Sequence, residues 1–206
     1  MLPPSAEAPA FLIVGGPNGS GKSSVYHDTD IEAGGRSVWI INPDLLTARI
    51  CNVEGLLQDA ANLVAVQRIE AWLDASIDVH KTIGVETVLS TGKYRRLVSK
   101  AKALGFSIWF LYVTLDTPDR NVERVKLRVA KGGHDVPEDS IRRRYLRSLE
   151  QFPWFLDQAD RAWIYDNSGA QPRLIGEKHD GVIELDEDAL DVVVAAVRSI
   201  ETTDEA

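Results

Sequence analysis

Eight consecutive residues, Gly16-Pro17-Asn18-Gly19-Ser20-Gly21-Lys22-Ser23, carry the spacing G-x-x-x-x-G-K-[ST] in full. The chemistry such a run can do is the binding of a phosphate chain. Glycines let backbone N–H groups converge on phosphate oxygens without side chains in the way. A helix starting at the lysine adds further N–H donors and the positive end of its dipole. Lys22 is then placed to reach the β- and γ-phosphates, and the Ser23 hydroxyl to ligate Mg²⁺, with Ser24 continuing the helix. ATP and Mg²⁺ are the cofactors this predicts. The bland alternative is an ordinary glycine turn before a helix.

A phosphate loop fixes the nucleotide and not the task, so the acceptor chemistry has to be sought elsewhere. Asn42-Pro43-Asp44 follows an apolar pair, Ile40-Ile41. There Asp44 is either the base that takes the proton of an attacking hydroxyl or the N-cap of a helix beginning at Leu45. Glu86 closes another strand-like run, with Thr87, Ser90 and Thr91 behind it. It can hold an Mg²⁺-bound water or an acceptor hydroxyl, or simply mark a polar turn. Gly84 breaks the apolar run that a Walker B carboxylate needs. Asp116 follows a better apolar run, but the Thr-Pro after it reads as a helix cap.

From Asp119 to Arg147 there are nine Lys/Arg against five Asp/Glu, inside a chain of net charge -8. Arg124 and Arg128 lie one helical turn apart. Gly132-Gly133-His134-Asp135-Val136-Pro137 reads as a hinge, with Arg142, Arg143, Arg144 and Arg147 beyond it. A lid of guanidinium groups over a γ-phosphate would stabilise its charge and exclude water. Neighbours on a helix point about 100° apart, so two or three of these arginines can face inward. A solvated helix face is the alternative. Late in the chain, Asp166-Asn167-Ser168-Gly169 is either a plain turn or the loop that holds adenine in compact P-loop kinases.

Other chemistries find no support. The guanine-reading Asn-Lys-x-Asp is absent, and a transport-type ATPase would need a longer chain. Nothing matches GxSxG or HExxH. With a single cysteine, Cys51, and no ligand spacing among His27, His80 and His179, no zinc site is expected. The acidic balance makes nucleic acid an unexpected partner. No apolar run approaches the length of a membrane span, and no basic region precedes the apolar run near the start, so a cytoplasmic protein is expected.

These residues must be positioned by elements the pattern also predicts. Phe11–Val14, Val38–Ile41, Ile83–Leu89, Phe106–Leu115, Ala162–Tyr165 and Val182–Leu185 read as strands. Helical patterns cover 56–81, 94–104, 118–131, 137–152 and 188–200. Trp154, with Phe152 and Phe155, reads as core packing rather than a stacking platform. Alternating strands and helices imply an α/β fold. A P-loop NTPase-type three-layer αβα sandwich is expected, with a central, mainly parallel sheet of about five or six strands and a helical, Arg-rich lid. Residues 1–206 form a single domain in this reading, with a loose leader over 1–9, the lid over 118–152 and a tail over 201–206.

In order, GGPNGSGKSS, INPD, ETVLST, RVKLRVAKGGHDVPEDSIRRRY and YDNSG resemble the zeta-toxin family of P-loop kinases over roughly residues 11–175, most of all its short, stand-alone members. The resemblance implies phosphorylation of the 3′-hydroxyl of the amino sugar in UDP-N-acetylglucosamine, and a small antitoxin protein that blocks the ATP site. It makes Lys22 and Ser23 the ATP·Mg²⁺ ligands, Asp44 the base, Glu86 and Thr87 acceptor contacts, and Arg124 or Arg128 lid arginines. Longer members carry an arginine near His134, so a second lid arginine would here come from Arg142–Arg144. They also carry a carboxyl-terminal substrate region that this chain lacks. Kinases of another small hydroxyl, such as a nucleoside or an antibiotic, and a nucleotide-binding regulator are the other readings.

Overall fold

The computed structural model describes residues 8–28, 32–33 and 36–204. Most of the expected leader, 1–7, and the end of the expected tail, 205–206, lie outside the described residues. In chain order the elements are β1 (Ala10–Gly15), α1 (Lys22–Asp28), β2 (Glu32–Ala33), β3 (Arg36–Ser37), β4 (Ile40–Ile41), α2 (Pro43–Glu54), α3 (Gln58–Asp78), β5 (Ile83–Thr87), α4 (Arg95–Ala103), β6 (Ser107–Thr114), α5 (Pro118–Ala130), α6 (Glu138–Gln158), β7 (Arg161–Asp166), β8 (Arg173–His179), β9 (Val182–Leu185) and α7 (Asp191–Asp204). The short β2 and β3 pair with each other as a separate antiparallel ribbon.

The main sheet has seven strands in the order β4-β5-β1-β6-β7-β8-β9. β4 to β7 run parallel. β8 and β9 add an antiparallel hairpin at one edge. The sheet is thus one strand wider than expected, because the sequence pattern gave no sign of β8. Its run Arg-Leu-Ile-Gly-Glu-Lys-His has only two apolar side chains, three charged ones and a glycine at its centre. Gly176 is there for space: a Cβ would lie 2.5 Å from Leu185 Cδ2.

β1 sits mid-sheet and is apolar at every position because both faces are covered. Ala10, Phe11, Leu12, Ile13 and Val14 are all wholly buried. Phe11 and Ile13 pack into the larger core with Ile69, Leu73 and Ile77 of α3, Leu97 and Val98 of α4, Phe152 and Phe155 of α6, and Val193 and Val197 of α7. Ala10, Leu12 and Val14 face the other way, toward Val25 of α1 and Trp109, Leu111 and Val113. Helices therefore lie on both sides of the sheet.

The helix expected over 137–152 continues to Gln158, through Pro153. Proline removes one N–H from the helix ladder. Burial of Phe152, Phe155 and Leu156 on either side of it holds the extra turns in place. Trp154 lies edge-on to Phe155 and under the Arg95 guanidinium, which makes it a packing residue. The α6 carboxyl end is closed by a buried lysine of β8: Lys178 Nζ donates to the carbonyls of Leu156 and Asp157 at 2.9 and 2.7 Å.

Candidate active site

The phosphate loop bridges β1 and α1 at the carboxyl edge of the sheet, where open α/β sheets bind ligands. Gly16 and Gly21 have φ of +145° and +86°. A Cβ on Gly16 would lie 2.1 Å from the Val113 carbonyl oxygen, and one on Gly21 would lie 2.3 Å from Asn167 Nδ2. Both positions admit only glycine. Lys22 is buried, and its ammonium donates to the carbonyls of Gly16 and Pro17 at 2.8 and 3.1 Å. Burial pushes its pKa below the usual lysine value. The Glu86 and Asp44 carboxylates pull it back up, and Arg128 pushes it down again. Lys22 thus feels the charges of three other predicted site residues.

Glu86, at the end of β5, is the centre of the cluster. Its Oε2 accepts from the Ser23 hydroxyl at 2.9 Å, the Tyr26 phenol at 3.0 Å and Asn42 Nδ2 at 2.9 Å. Its Oε1 lies 3.9 Å from Lys22 Nζ. Burial, and then the nearby Glu86 charge, raise the Tyr26 pKa. Thr87, next along, uses its hydroxyl oxygen to accept from the Leu89 N–H within the turn that follows.

Asp44 stands exposed in the first turn of α2. It is not the N-cap of that helix, which corrects one of the two readings of this residue. The cap is Asn42, whose Oδ1 accepts from the N–H groups of Asp44 and Leu45 at 2.9 and 3.2 Å. The helix starts earlier than Leu45 because Pro43 fits its first position.

On the opposite side, α5 grips the loop. Asn121, wholly buried, donates from Nδ2 to the Asn18 carbonyl at 2.6 Å. Arg124, one turn on, donates to the carbonyls of Asn167 and Gly169 at 2.6 and 3.5 Å. Burial and the neighbouring Arg120 lower its pKa. Asn167 itself donates from Nδ2 to the Ser20 carbonyl at 2.8 Å, so the late loop is tied directly to the phosphate loop. Arg128 donates to the main-chain carbonyl of His134 at 2.8 Å. Arg124, Leu127, Arg128, Lys131, Gly132 and Gly133 line an open groove of about 490 Å³.

The remaining arginines divide. Arg144 reaches Asn18 Oδ1 at 3.2 Å. Arg143 does not join the site: it is exposed and donates to Ser140 on its own helix. Arg142 pairs with Asp119 across the α5–α6 seam and with Glu138 one turn back on its own helix. The His134 side chain is exposed, and Ser24 lies on the exposed side of α1. Asp116 is no metal candidate here, because both its oxygens bind Arg120 at 2.8 Å, which holds its carboxyl below the usual carboxylate range. Of the expected lid, Asn121, Tyr145, Ser148 and Phe152 are buried. Val122, Val125, Val136 and Ile141 form a small core of the lid's own.

Sequence reasoning missed Tyr26, Asn121 and the double duty of Asn42. Tyr26 had a signal, since it lies three and four residues beyond Ser23 and Lys22 and so on their helix face. Among the described residues no group of three or more His, Cys, Asp or Glu could cage a metal. Mg²⁺ takes few protein oxygens and keeps phosphates and waters. The Ser23 hydroxyl and the Glu86 carboxylate, in contact at the loop's mouth, are oxygen donors of the required kind. No described helix is long and apolar enough to cross a membrane.

The family model for zeta toxin matches residues 2–180. An uncharacterized protein of Haemophilus influenzae is 26% identical over 132 residues, covering 63% of this chain and 88% of its own length. Among solved structures, the AvrRxo1-ORF1:-ORF2 complex with ATP aligns with a TM-score of 0.69 at 12% identity, over 94% of this chain and 64% of that one. This chain therefore spans less than two thirds of that relative. The PezAT chromosomal toxin–antitoxin system of Streptococcus pneumoniae aligns with a TM-score of 0.60 at 14% identity, over 98% of this chain and 87% of that one. A putative kinase from Chloroflexus aurantiacus gives 0.52 at 18% identity, over 67% and 77%.

Proposed function

This chain belongs to the zeta-toxin family, and from that premise we propose that it transfers the γ-phosphate of ATP to a hydroxyl of a UDP-amino sugar such as UDP-N-acetylglucosamine. The observation that carries the reading is the convergence on one sheet edge of Lys22, Ser23, Glu86 and Asp44, with arginines of α5 opposite. The acceptor oxygen attacks the γ-phosphorus, and the bond from that phosphorus to the β–γ bridging oxygen breaks. Asp44 takes the hydroxyl proton, and ADP leaves. Lys22 and Arg128 neutralise charge on the phosphoryl oxygens. Ser23 and Glu86 would hold Mg²⁺, which offsets phosphate charge when bound. Arg124 and Asn167 border the place where adenine would lie.

The partner this reading carries is a small antitoxin protein over the nucleotide groove, and its compartment is the cytoplasm. The test is incubation with ATP, Mg²⁺ and a panel of nucleotide sugars, followed by mass spectrometry. The expected result is a nucleotide sugar heavier by one phosphate, with matching ADP. Tight ATP binding without phosphorylation of any acceptor would replace the kinase by a nucleotide-binding regulator.

A further inference from the structure

We infer that Asn42 is a positioning residue that sets the two carboxylates of the site, Glu86 and Asp44, relative to each other. The inference rests on the phosphotransfer reading above. One carboxamide makes contacts in both directions. Its Nδ2 donates to Glu86 Oε2 at 2.9 Å, and its Oδ1 accepts from the Asp44 and Leu45 N–H groups at 2.9 and 3.2 Å. Asn42 therefore joins the end of β5 to the first turn of α2. Asp44 belongs to that turn, so its main chain is fixed by the same side chain that holds Glu86.

The Glu86 end is tightly defined. Ser23 and Tyr26 donate to the same oxygen from α1, and Glu86 is only 12% exposed. Three donors on Oε2 turn Oε1 toward Lys22. A hydroxyl at position 42 could cap α2 as well as Asn does, and so could a carboxylate. Neither supplies an N–H to Glu86. Asparagine is thus the side chain that both caps the helix and donates to the carboxylate.

This separates the role from mere capping. Asn42→Asp and Asn42→Ser both keep the cap, and Asn42→Ser adds no charge beside Glu86, so its melting temperature should stay near that of wild type. Both lose the N–H donor to Glu86. Transfer to UDP-N-acetylglucosamine at neutral pH should fall about 10- to 100-fold in kcat, the usual effect of removing a partner that orients a metal-site carboxylate. ATP affinity in EDTA should hold, because Lys22 and the loop amides are untouched.

Wild-type rates in both variants, or a loss of ATP affinity in EDTA as large as the loss in kcat, would overturn the inference. If wild type transfers nothing to UDP-N-acetylglucosamine, the kinase reading fails on its own. Asn42 is then judged by calorimetry of ATP with and without Mg²⁺. Loss of the Mg²⁺-dependent gain in affinity in both variants supports the positioning role, and its retention overturns it.

Discussion

At the scale of single residues, Lys22 and Asp44 carry the sharpest expectations. The Lys22 ammonium donates to two loop carbonyls and lies near Glu86, so a γ-phosphate would compete with contacts already made. Lys22→Ala should lower turnover by about 10²–10³ or more, the usual effect of deleting one preorganised donor to transition-state charge. Steady-state kinetics with ATP would show this, and near-normal rates would mean that the loop does not hold the reacting nucleotide. Asp44→Asn should lower transfer by about 10²–10⁴ as a lost general base. Its melting temperature should not move, because Asn42 and not Asp44 caps α2. Undiminished transfer in that variant would turn attention to Glu86. The phosphate loop was fully legible in the sequence, because local spacing alone defines it. The contacts of Asn42, Tyr26 and Asn121 were not. Each meets its partner across 44 to 103 positions of chain, and no local pattern records such pairings.

At the scale of elements, legibility followed hydrophobic pattern. The fully buried β1 and the β6 run buried from Ile108 onward stood out as apolar runs. The strand read over Val38–Ile41 shrinks to Ile40–Ile41, since only those two residues pair with β5. β8 was hidden by its charges, and one of those charges is structural. Lys178 lies buried in β8 and supplies the donors that the last turn of α6 lacks, the usual need of a helix carboxyl end. Lys178→Met keeps the length of the side chain but removes those donors. It should cost about 1.5–3 kcal/mol, the range for hydrogen bonds to a charged group. Urea unfolding would measure it, and an unchanged midpoint would show that solvent or a neighbour satisfies those carbonyls instead. Because α6 also carries Arg144, which touches the loop at Asn18, ATP affinity in the variant should weaken along with stability.

At the scale of the whole molecule, the five tyrosines behave alike. Burial raises the pKa of Tyr26, Tyr94, Tyr112, Tyr145 and Tyr165 above the usual phenol value. The folded chain therefore keeps protons that the unfolded chain releases near pH 10. Stability contributed by these groups is intact below that pH and falls as pH rises through and above it. An alkaline titration followed by phenolate absorbance and circular dichroism should show ionisation and loss of helix together. Phenolate appearing near pH 10 with the helix signal intact would contradict it. The strand order has a consequence for biosynthesis as well. β1 is made before its sheet neighbours, β5 and β6, and the Ser20 carbonyl of its loop is held by Asn167, 147 residues later. Contacts of such long range form late, after much chain entropy has been lost. A ribosome-bound chain that has not yet exposed residue 167 carries the complete phosphate-loop sequence but lacks the side chain that closes it. A closed nucleotide loop therefore waits on the emergence of residue 167 and not on that of the loop itself.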